Sequence, residues 1–224
     1  MKDLHRRILT SRTWQLSTDD DPTNAAIDPA NKLYWRHDRR RLEAESIRDA
    51  MLQAGEGLDF ARPAEHPFPP MQKWKWTQHN PYRDFYDSSH RSVYLMVPRI
   101  QRHPFLGLFD GPDTNASTGL RSVSTVPPQA LFLLNSPEMQ SNARQLAQRL
   151  VQASPDNDAR VNLAHELCYS RPATERECAL AAEYLSAGMA ALAATDVPEA
   201  DRELTAWTSY ARLLLAANEF FYID

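Results

Sequence analysis

HRSVYLMVPRIQRHPFLGLFDGPDTNASTGLRSVSTVPPQALFLLNS, residues 90–136, contains three kinds of segment in succession. Apolar side chains alternate over 92–97, which predicts a short strand ended by Pro98 and paired with residues 72–77 or 120–125. Turn-forming residues dominate 110–118. Residues 127–134 are apolar and begin with two prolines, which predicts the start of a helix. Together these segments predict a mainly α fold with a small β element.

Downstream of this stretch the sequence predicts four helices. Ser136-Pro137-Glu138 combines an N-cap, a first-turn proline and a first-turn acid, which begins a helix to about Ala153. The other three are predicted from Asp156 or Asp158 to Tyr169, from a capping box at Thr174–Glu177 to about Ala194, and over 199–217.

Upstream, shorter helices are predicted over 3–13, from Asp28 to about Arg36 and from Arg40 to Ala54, with Gly55 as a left-handed cap. Residues 55–90 contain five prolines, which exclude regular helix. The same segment is rich in aromatic residues, so we predict a long, ordered Pro/aromatic-rich central loop inserted at 55–90. The whole chain, 1–224, is predicted to form a single helical domain.

Composition excludes several classes of protein. Residues 1–112 carry 17 Lys and Arg against 15 Asp and Glu, and residues 113–224 carry 8 against 14, so neither half is basic enough to predict nucleic-acid binding. No segment approaches the ~20 apolar residues of a membrane span. The first residues are charged and lack an apolar core, so we find no signal peptide in this chain.

The two cysteines, Cys168 and Cys178, leave two alternatives open: a disulfide across a helix–helix corner, or two unpaired thiols. The chain has no C-x-x-C-H motif for haem attachment. It also has no G-x-S-x-G motif and no phosphate-binding glycine loop, and its content of only six glycines argues against a nucleotide cradle.

Six ordered blocks of the sequence resemble a known family. The blocks are residues 4–11 (LHRRILTS), 31–36 with 39–50 (NKLYWR and RRRLEAESIRDA), 91–95 (RSVYL), 109–115 (FDGPDTN), 125–135 (TVPPQALFLLN) and 218–220 (NEF). This pattern resembles the C-terminal domain of unknown function found in the large cytochrome-c-type surface proteins of planctomycetes and related bacteria.

The resemblance carries implications about context. It implies an exported protein, periplasmic or at the cell surface, in which the segment 4–8 lies inside a longer helical domain. This chain would then be an N-terminally truncated piece whose partners are the upstream domains of the full-length protein. Haem is expected only on the absent upstream domain, and no cofactor other than Ca²⁺ is expected in this chain.

The turn-rich stretch offers a candidate metal site. Asp110, Asp113 and Asn115 could supply three oxygen ligands to a hard cation such as Ca²⁺, although their spacing is not that of an EF-hand. The structural alternative is that these side chains accept hydrogen bonds from nearby backbone N–H groups and hold the turn.

The arginine run 39–41 is a second candidate. On a helix, Arg39 would pair with Glu43 and Arg41 with Glu45. Arg39 and Arg41 could alternatively form an anion clamp for a sulfate or a carboxylate. The structural alternative is a salt-bridge lattice that buries one arginine against the Asp110 loop.

The aromatic residues of the central loop are the third candidate. Trp74 and Trp76 are predicted to stack on sugar rings or to anchor a neighbouring domain, with a buried plug beneath the loop as the structural alternative. The sequence therefore favours an accessory or interaction module that acts by domain docking or polysaccharide binding. The alternative is a polysaccharide-acting enzyme, a hydrolase or an oxidoreductase, with its site around the Asp110–Asn115 loop.

Overall fold

The structure, a computed structural model, describes residues 1–66, 69–82, 86, 88–99 and 101–223, and it confirms a mainly α fold. The helices are α1 (Lys2–Leu9), α2 (Pro22–Ile27), α3 (Ala44–Ala54), α4 (Pro104–Leu108), α5 (Pro127–Asn135), α6 (Pro137–Ala153), α7 (Asn157–Tyr169), α8 (Glu175–Ala193), α9 (Glu199–Ala216) and α10 (Asn218–Phe221). Two strands, β1 (Arg40–Arg41) and β2 (Tyr222–Ile223), pair antiparallel with Arg40 opposite Ile223.

The chain forms two compact units. The smaller unit consists of Met1–Leu42 with Phe221–Asp224, and the larger is Glu43–Phe220. The single domain over 1–224 and the inserted loop at 55–90 stay predictions. Among the described residues, none of the helices combines the length and the apolar character that crossing a lipid bilayer requires.

The smaller unit differs locally from expectation. α2 begins at Pro22 because the Asp21 carboxylate accepts hydrogen bonds from the N–H groups of Thr23 and Asn24. The predicted helix from Asp28 to Arg36 is wrong. Asp28 ends α2, and its carboxylate instead accepts the N–H of Leu33 at 2.7 Å, which closes a turn. The dipeptide Asp-Pro occurs twice in this part of the sequence, and α2 begins at the first of the two.

The larger unit is organised around α6 and α9, which lie side by side. α6 begins where the Ser136 hydroxyl accepts the N–H of Met139, as the sequence predicted. Its buried face includes Leu146 and Leu150, which are fully removed from solvent, as is Leu215 of α9. Burying each such leucine stabilises the fold by about 1.5–3 kcal/mol, so this seam contributes strongly to stability.

α3 begins at Ala44, four residues later than predicted. Arg40 and Arg41 are extended because they pair with Tyr222 and Ile223 at the other end of the chain. A local sequence pattern gives no sign of a partner that distant. The helix predicted over 3–13 is likewise shorter, ending at Leu9.

The predicted strand 92–97 is also wrong, because Ser92–Tyr94 form a 3₁₀ turn. Ser92 is buried, and its N–H donates to the Asp49 carboxylate at 2.8 Å while its hydroxyl accepts from the Arg48 guanidinium at 3.2 Å. Side chains of α3 therefore hold this segment, and Val93 and Val97 of the apolar alternation face solvent.

Candidate functional site

Three aromatic rings of the central loop form one cluster, which we call the aromatic platform: Trp74, Trp76 and Tyr82. The indole centroids of Trp74 and Trp76 lie 4.8 Å apart, and Tyr82 meets Trp76 edge-on at 4.5 Å. Such offset and T-shaped pairs add about 0.5–1.5 kcal/mol each beyond their area burial. The structure therefore brings together both tryptophans that the sequence singled out.

One member of the platform, Trp74, is both exposed and held in place. It is 46% exposed, and its indole N–H donates a hydrogen bond to the Pro69 carbonyl at 2.7 Å. The Tyr82 hydroxyl donates a hydrogen bond to the Tyr86 hydroxyl at 2.7 Å. Phe68 and Phe85, which belong to the same loop in the sequence, lie outside the described residues.

Among the described residues, the two neighbours of Trp74 in the sequence are basic. Lys73 and Lys75, on either side of Trp74, are both exposed, and so are Gln72 and Gln78. An exposed indole with ammonium and amide groups around it presents an apolar face together with hydrogen-bond donors. That combination suits a ligand with alternating apolar and oxygen-bearing surfaces.

The Asp110–Asn115 loop places its three oxygen-bearing side chains in two separate local networks. Asp110, with a left-handed backbone φ of 63°, accepts the N–H of Ser124 at 2.8 Å and its hydroxyl at 2.7 Å. Asp113 accepts the N–H of Asn115 at 2.9 Å, and the Asn115 amide donates to the Arg99 carbonyl at 2.7 Å. These side chains close turns with backbone groups.

Asp113 also has a charged partner, the Arg102 guanidinium at 3.1 Å. The hydrogen bond from the Asn115 N–H, aided by Arg102, holds the pKa of Asp113 below its usual value. In the part of the chain that the structure describes, no group of three or more His, Cys, Asp or Glu side chains is arranged to hold a metal ion.

A small cavity of about 40 Å³ adjoins this loop and is lined by Glu45, Arg102, His103 and Thr114, among others. That volume fits about one water molecule. Asp110 and Asp113 do not line it. This cavity is therefore not a site at which the two acids of the loop could meet a sugar ring.

The arginine run is not helical, so the predicted helix pairs are wrong. Arg39 precedes β1, and Arg41 places its guanidinium 5.9 Å from the centroid of the Phe221 ring. Arg121 instead approaches both of the expected acid partners, Glu45 at 2.5 Å and Glu43 at 3.2 Å.

Arg39 lines a cavity of about 230 Å³ in the smaller unit. The same cavity is lined by Arg36, which pairs with Asp20 at 3.0 Å, and by His37 and Asp19. Two cations and two carboxylates therefore face this space together. Arg41 is not among the residues that line this cavity. An anion clamp formed by Arg39 and Arg41 together therefore stays a prediction.

Sequence reasoning missed a polar cluster where α7, α8 and α10 meet. Arg171 donates to Glu177 at 2.7 and 2.9 Å and to Glu219 at 2.6 and 2.9 Å. Burial depresses the pKa of the neighbouring His165, whose Nδ1 lies 3.7 Å from Glu177 and whose Nε2 lies 3.3 Å from the Tyr210 hydroxyl.

The cysteines lie on the same helices as this cluster, and both are free thiols. Burial raises the pKa of the Cys168 thiol to about 12, so it stays protonated at neutral pH. A protonated thiol is a poor nucleophile. Of this region only the capping box at Thr174 was visible in the sequence, because the ion-pair partner Glu219 lies 48 residues from Arg171.

Comparison with known proteins gives one match. A family model described as PSD1, protein of unknown function (DUF1553), matches residues 1–185. The match includes the aromatic platform, the Asp110–Asn115 loop and the arginine run, and it stops within α8. No curated protein matches the chain significantly, and neither does any solved structure.

Proposed function

The chain belongs to the PSD1 family of proteins of unknown function, and from that premise we propose that it is a non-catalytic interaction module that binds polysaccharide through its aromatic platform. The observation that carries this proposal is the state of Trp74, which is 46% exposed and yet held by a hydrogen bond and by Trp76. A fixed, exposed aromatic ring loses little conformational entropy on binding.

The charge around the platform refines the ligand class. Lys73 and Lys75 are exposed beside Trp74, and they would attract sugar carboxylates or sulfates. We therefore expect acidic polysaccharides to bind more tightly than neutral ones. Salt should weaken the binding, since exposed charges are screened within about 10 Å at 0.1 M ionic strength.

Affinity gel electrophoresis tests the proposal directly. The chain is run in gels that contain polygalacturonate, chondroitin sulfate or xylan, with bovine serum albumin as a non-binding standard. We expect retardation in at least one acidic gel, weaker at high salt. Unchanged mobility in all three gels would contradict the proposal.

The alternative of a polysaccharide-acting enzyme has less support. Acid–base cleavage needs carboxyl groups that face the substrate. Asp110 and Asp113 instead accept hydrogen bonds from Ser124 and Asn115, and the nearby cavity holds about 40 Å³.

One observation favours a second function, docking to another folded domain. Leu4, Ile8 and Leu9 lie along α1 and are 55%, 44% and 52% exposed, and α1 has no buried residue. An isolated helix this short is unstable in water, so we expect the apolar face of α1 to pack against a partner. The partner that we propose is an upstream domain of a longer, exported protein whose haem lies on that upstream part.

Photo-crosslinking tests this second function. Benzoylphenylalanine replaces Leu4 in the longer protein, and Arg6, about 200° around the helix, serves as the matched control position. We expect crosslinks from position 4 to peptides upstream of the chain and none from position 6. Equal products from both positions, or none from position 4, would exclude docking through this face.

A further inference from the structure

A groove of about 490 Å³ runs between α8 and α9 in the larger unit. Its volume falls in the range of small-molecule sites, roughly 300–1,000 Å³. Leu185, Met189 and Trp207 are among the residues that line it. The proposed polysaccharide function makes no use of this groove.

The floor of the groove is rigid. Trp207 is 2% exposed, with the Arg160 guanidinium 5.5 Å from its ring centroid on one side. Tyr210 meets the same indole edge-on at 5.7 Å. A ligand that enters the groove therefore meets a surface that is already ordered, which lowers the entropic cost of binding.

The ionisable side chains that line the groove are both acidic. Glu203 is half-exposed and uses Oε1 to accept from Arg160 at 2.7 Å. Glu199 is exposed at the start of α9, and among the described residues it has no ion-pair partner. An unpaired carboxylate beside a groove that also has apolar side chains in its lining favours a cation and disfavours an anion.

We propose that this groove binds an organic cation, an ammonium or guanidinium group on an apolar stem. The stem lies against Leu185, Met189 and the edge of Trp207, and the cationic group meets Glu199. The ligand is either a free amine or a lysine or arginine side chain of another protein, since both present the same chemistry. The proposal is independent of polysaccharide binding at the platform.

Methyl NMR of the full chain tests it, with ¹³C-labelled methionine methyl groups as the readout. The Met189 signal is assigned from a Met189→Leu variant. Phenethylamine is titrated beside 2-phenylethanol and 3-phenylpropanoate, which are neutral and anionic analogues of similar shape. N-acetyl-lysine amide is titrated as the side-chain form of the cation. We expect the Met189 signal to move with at least one amine and to move less with both analogues.

Two variants and a matched control locate the charge. We expect Glu199→Gln to weaken amine binding about fivefold, as loss of an exposed charge pair does. Glu183→Gln, on an exposed part of α8 outside the lining, should leave binding unchanged. Ser186→Trp should fill the groove from the exposed side of α8 and abolish binding.

The titrations distinguish the two sources of the cation. Movement with phenethylamine alone supports a free amine, and movement with N-acetyl-lysine amide supports a protein side chain. A still Met189 signal, equal binding of amine and analogues, or equal effects of Glu199→Gln and Glu183→Gln would overturn the proposal. Each of these results leaves the polysaccharide proposal unaffected, because the aromatic platform is not involved.

Discussion

The guanidinium of Arg171 is bound in parallel to the carboxylate of Glu177, with Nη1 2.9 Å from Oε2 and Nη2 2.7 Å from Oε1. The same carboxylate also caps a helix, because Glu177 is the third residue of α8 and completes its capping box with Thr174. Glu219 accepts from Nε and Nη2, and the Pro172 carbonyl accepts from Nη1. Hydrogen bonds from Arg171 hold the pKa of Glu177 far below its ordinary value.

Replacing Arg171 should therefore loosen the ends of three helices. Arg171→Ala is expected to lower the free energy of unfolding by about 1–2 kcal/mol, a modest loss because the groups are about one third exposed and partly screened. Urea denaturation monitored by circular dichroism measures it. Arg176→Ala, an exposed arginine one turn away, is the control and should change little. Equal effects of the two would contradict this role.

Acid should destabilise the fold through the same cluster. Burial lowers the pKa of His165, so below about pH 6.5 the unfolded state binds more protons at this position than the folded state. Stability from His165 is present above about pH 6.5 and is lost as the pH falls towards the lowered value. The titratable groups that face His165 include Glu177, Arg171, Glu219, Tyr210 and Tyr169.

Urea midpoints between pH 7.5 and 5.5 check this dependence. The chain should lose stability over that interval, and His165→Gln should lose less of it. His5→Gln, at an exposed histidine of α1, is the matched control and should behave as the unmodified chain does. A stability that rises on acidification would contradict the sign.

Gly55 is required by the close approach of α6 and not by its backbone angle, contrary to the left-handed cap that the sequence predicted. Its φ is −88°, and an added Cβ would lie 2.8 Å from the Gln145 Cβ and 3.2 Å from the Leu146 nitrogen. Gly55→Ala should destabilise by about 1–3 kcal/mol through overpacking. Gly119→Ala, which meets nothing within 4 Å, should be near neutral, and differential scanning calorimetry compares them.

The Asp110–Asn115 loop is expected to behave as a structural turn. Asp110→Ala removes two hydrogen bonds to Ser124 and leaves a non-glycine residue in the left-handed region, for a loss of about 1–3 kcal/mol. Neither Ca²⁺ nor EDTA should move the thermal midpoint. A rise with Ca²⁺ that Asp113→Ala abolishes would instead establish a metal site, since a ligand of the native state stabilises it.

The sequence predicted best where local signals act alone. Ser136 begins α6 and Thr174 caps α8 as expected, because N-caps and capping boxes are read within one helical turn. It failed where a distant residue decides the conformation. Arg40 and Arg41 pair with the chain end, and Ser92 is held by Asp49, so neither segment follows its local pattern.

The same distinction applies to the candidate site. Trp74 and Trp76 could be found because they are close in sequence and lie in a proline-rich loop. The Arg171 cluster and the α8–α9 groove could not, since helix packing brings their side chains together from separate segments. The sequence also does not show which tryptophans reach the surface, since Trp74 is half-exposed whereas Trp207 is buried.

Polysaccharide affinity of two matched variants tests the central claim most directly. Trp74→Ala and Trp14→Ala each remove one indole of nearly equal exposure, 46% and 48%, but Trp14 lies outside the aromatic platform. Dissociation constants come from gels of increasing polysaccharide content. The account predicts that Trp74→Ala weakens binding about thirtyfold, as loss of a central tryptophan anchor does, while Trp14→Ala binds normally. Equal affinity of the two variants, or unimpaired binding by Trp74→Ala, would contradict it.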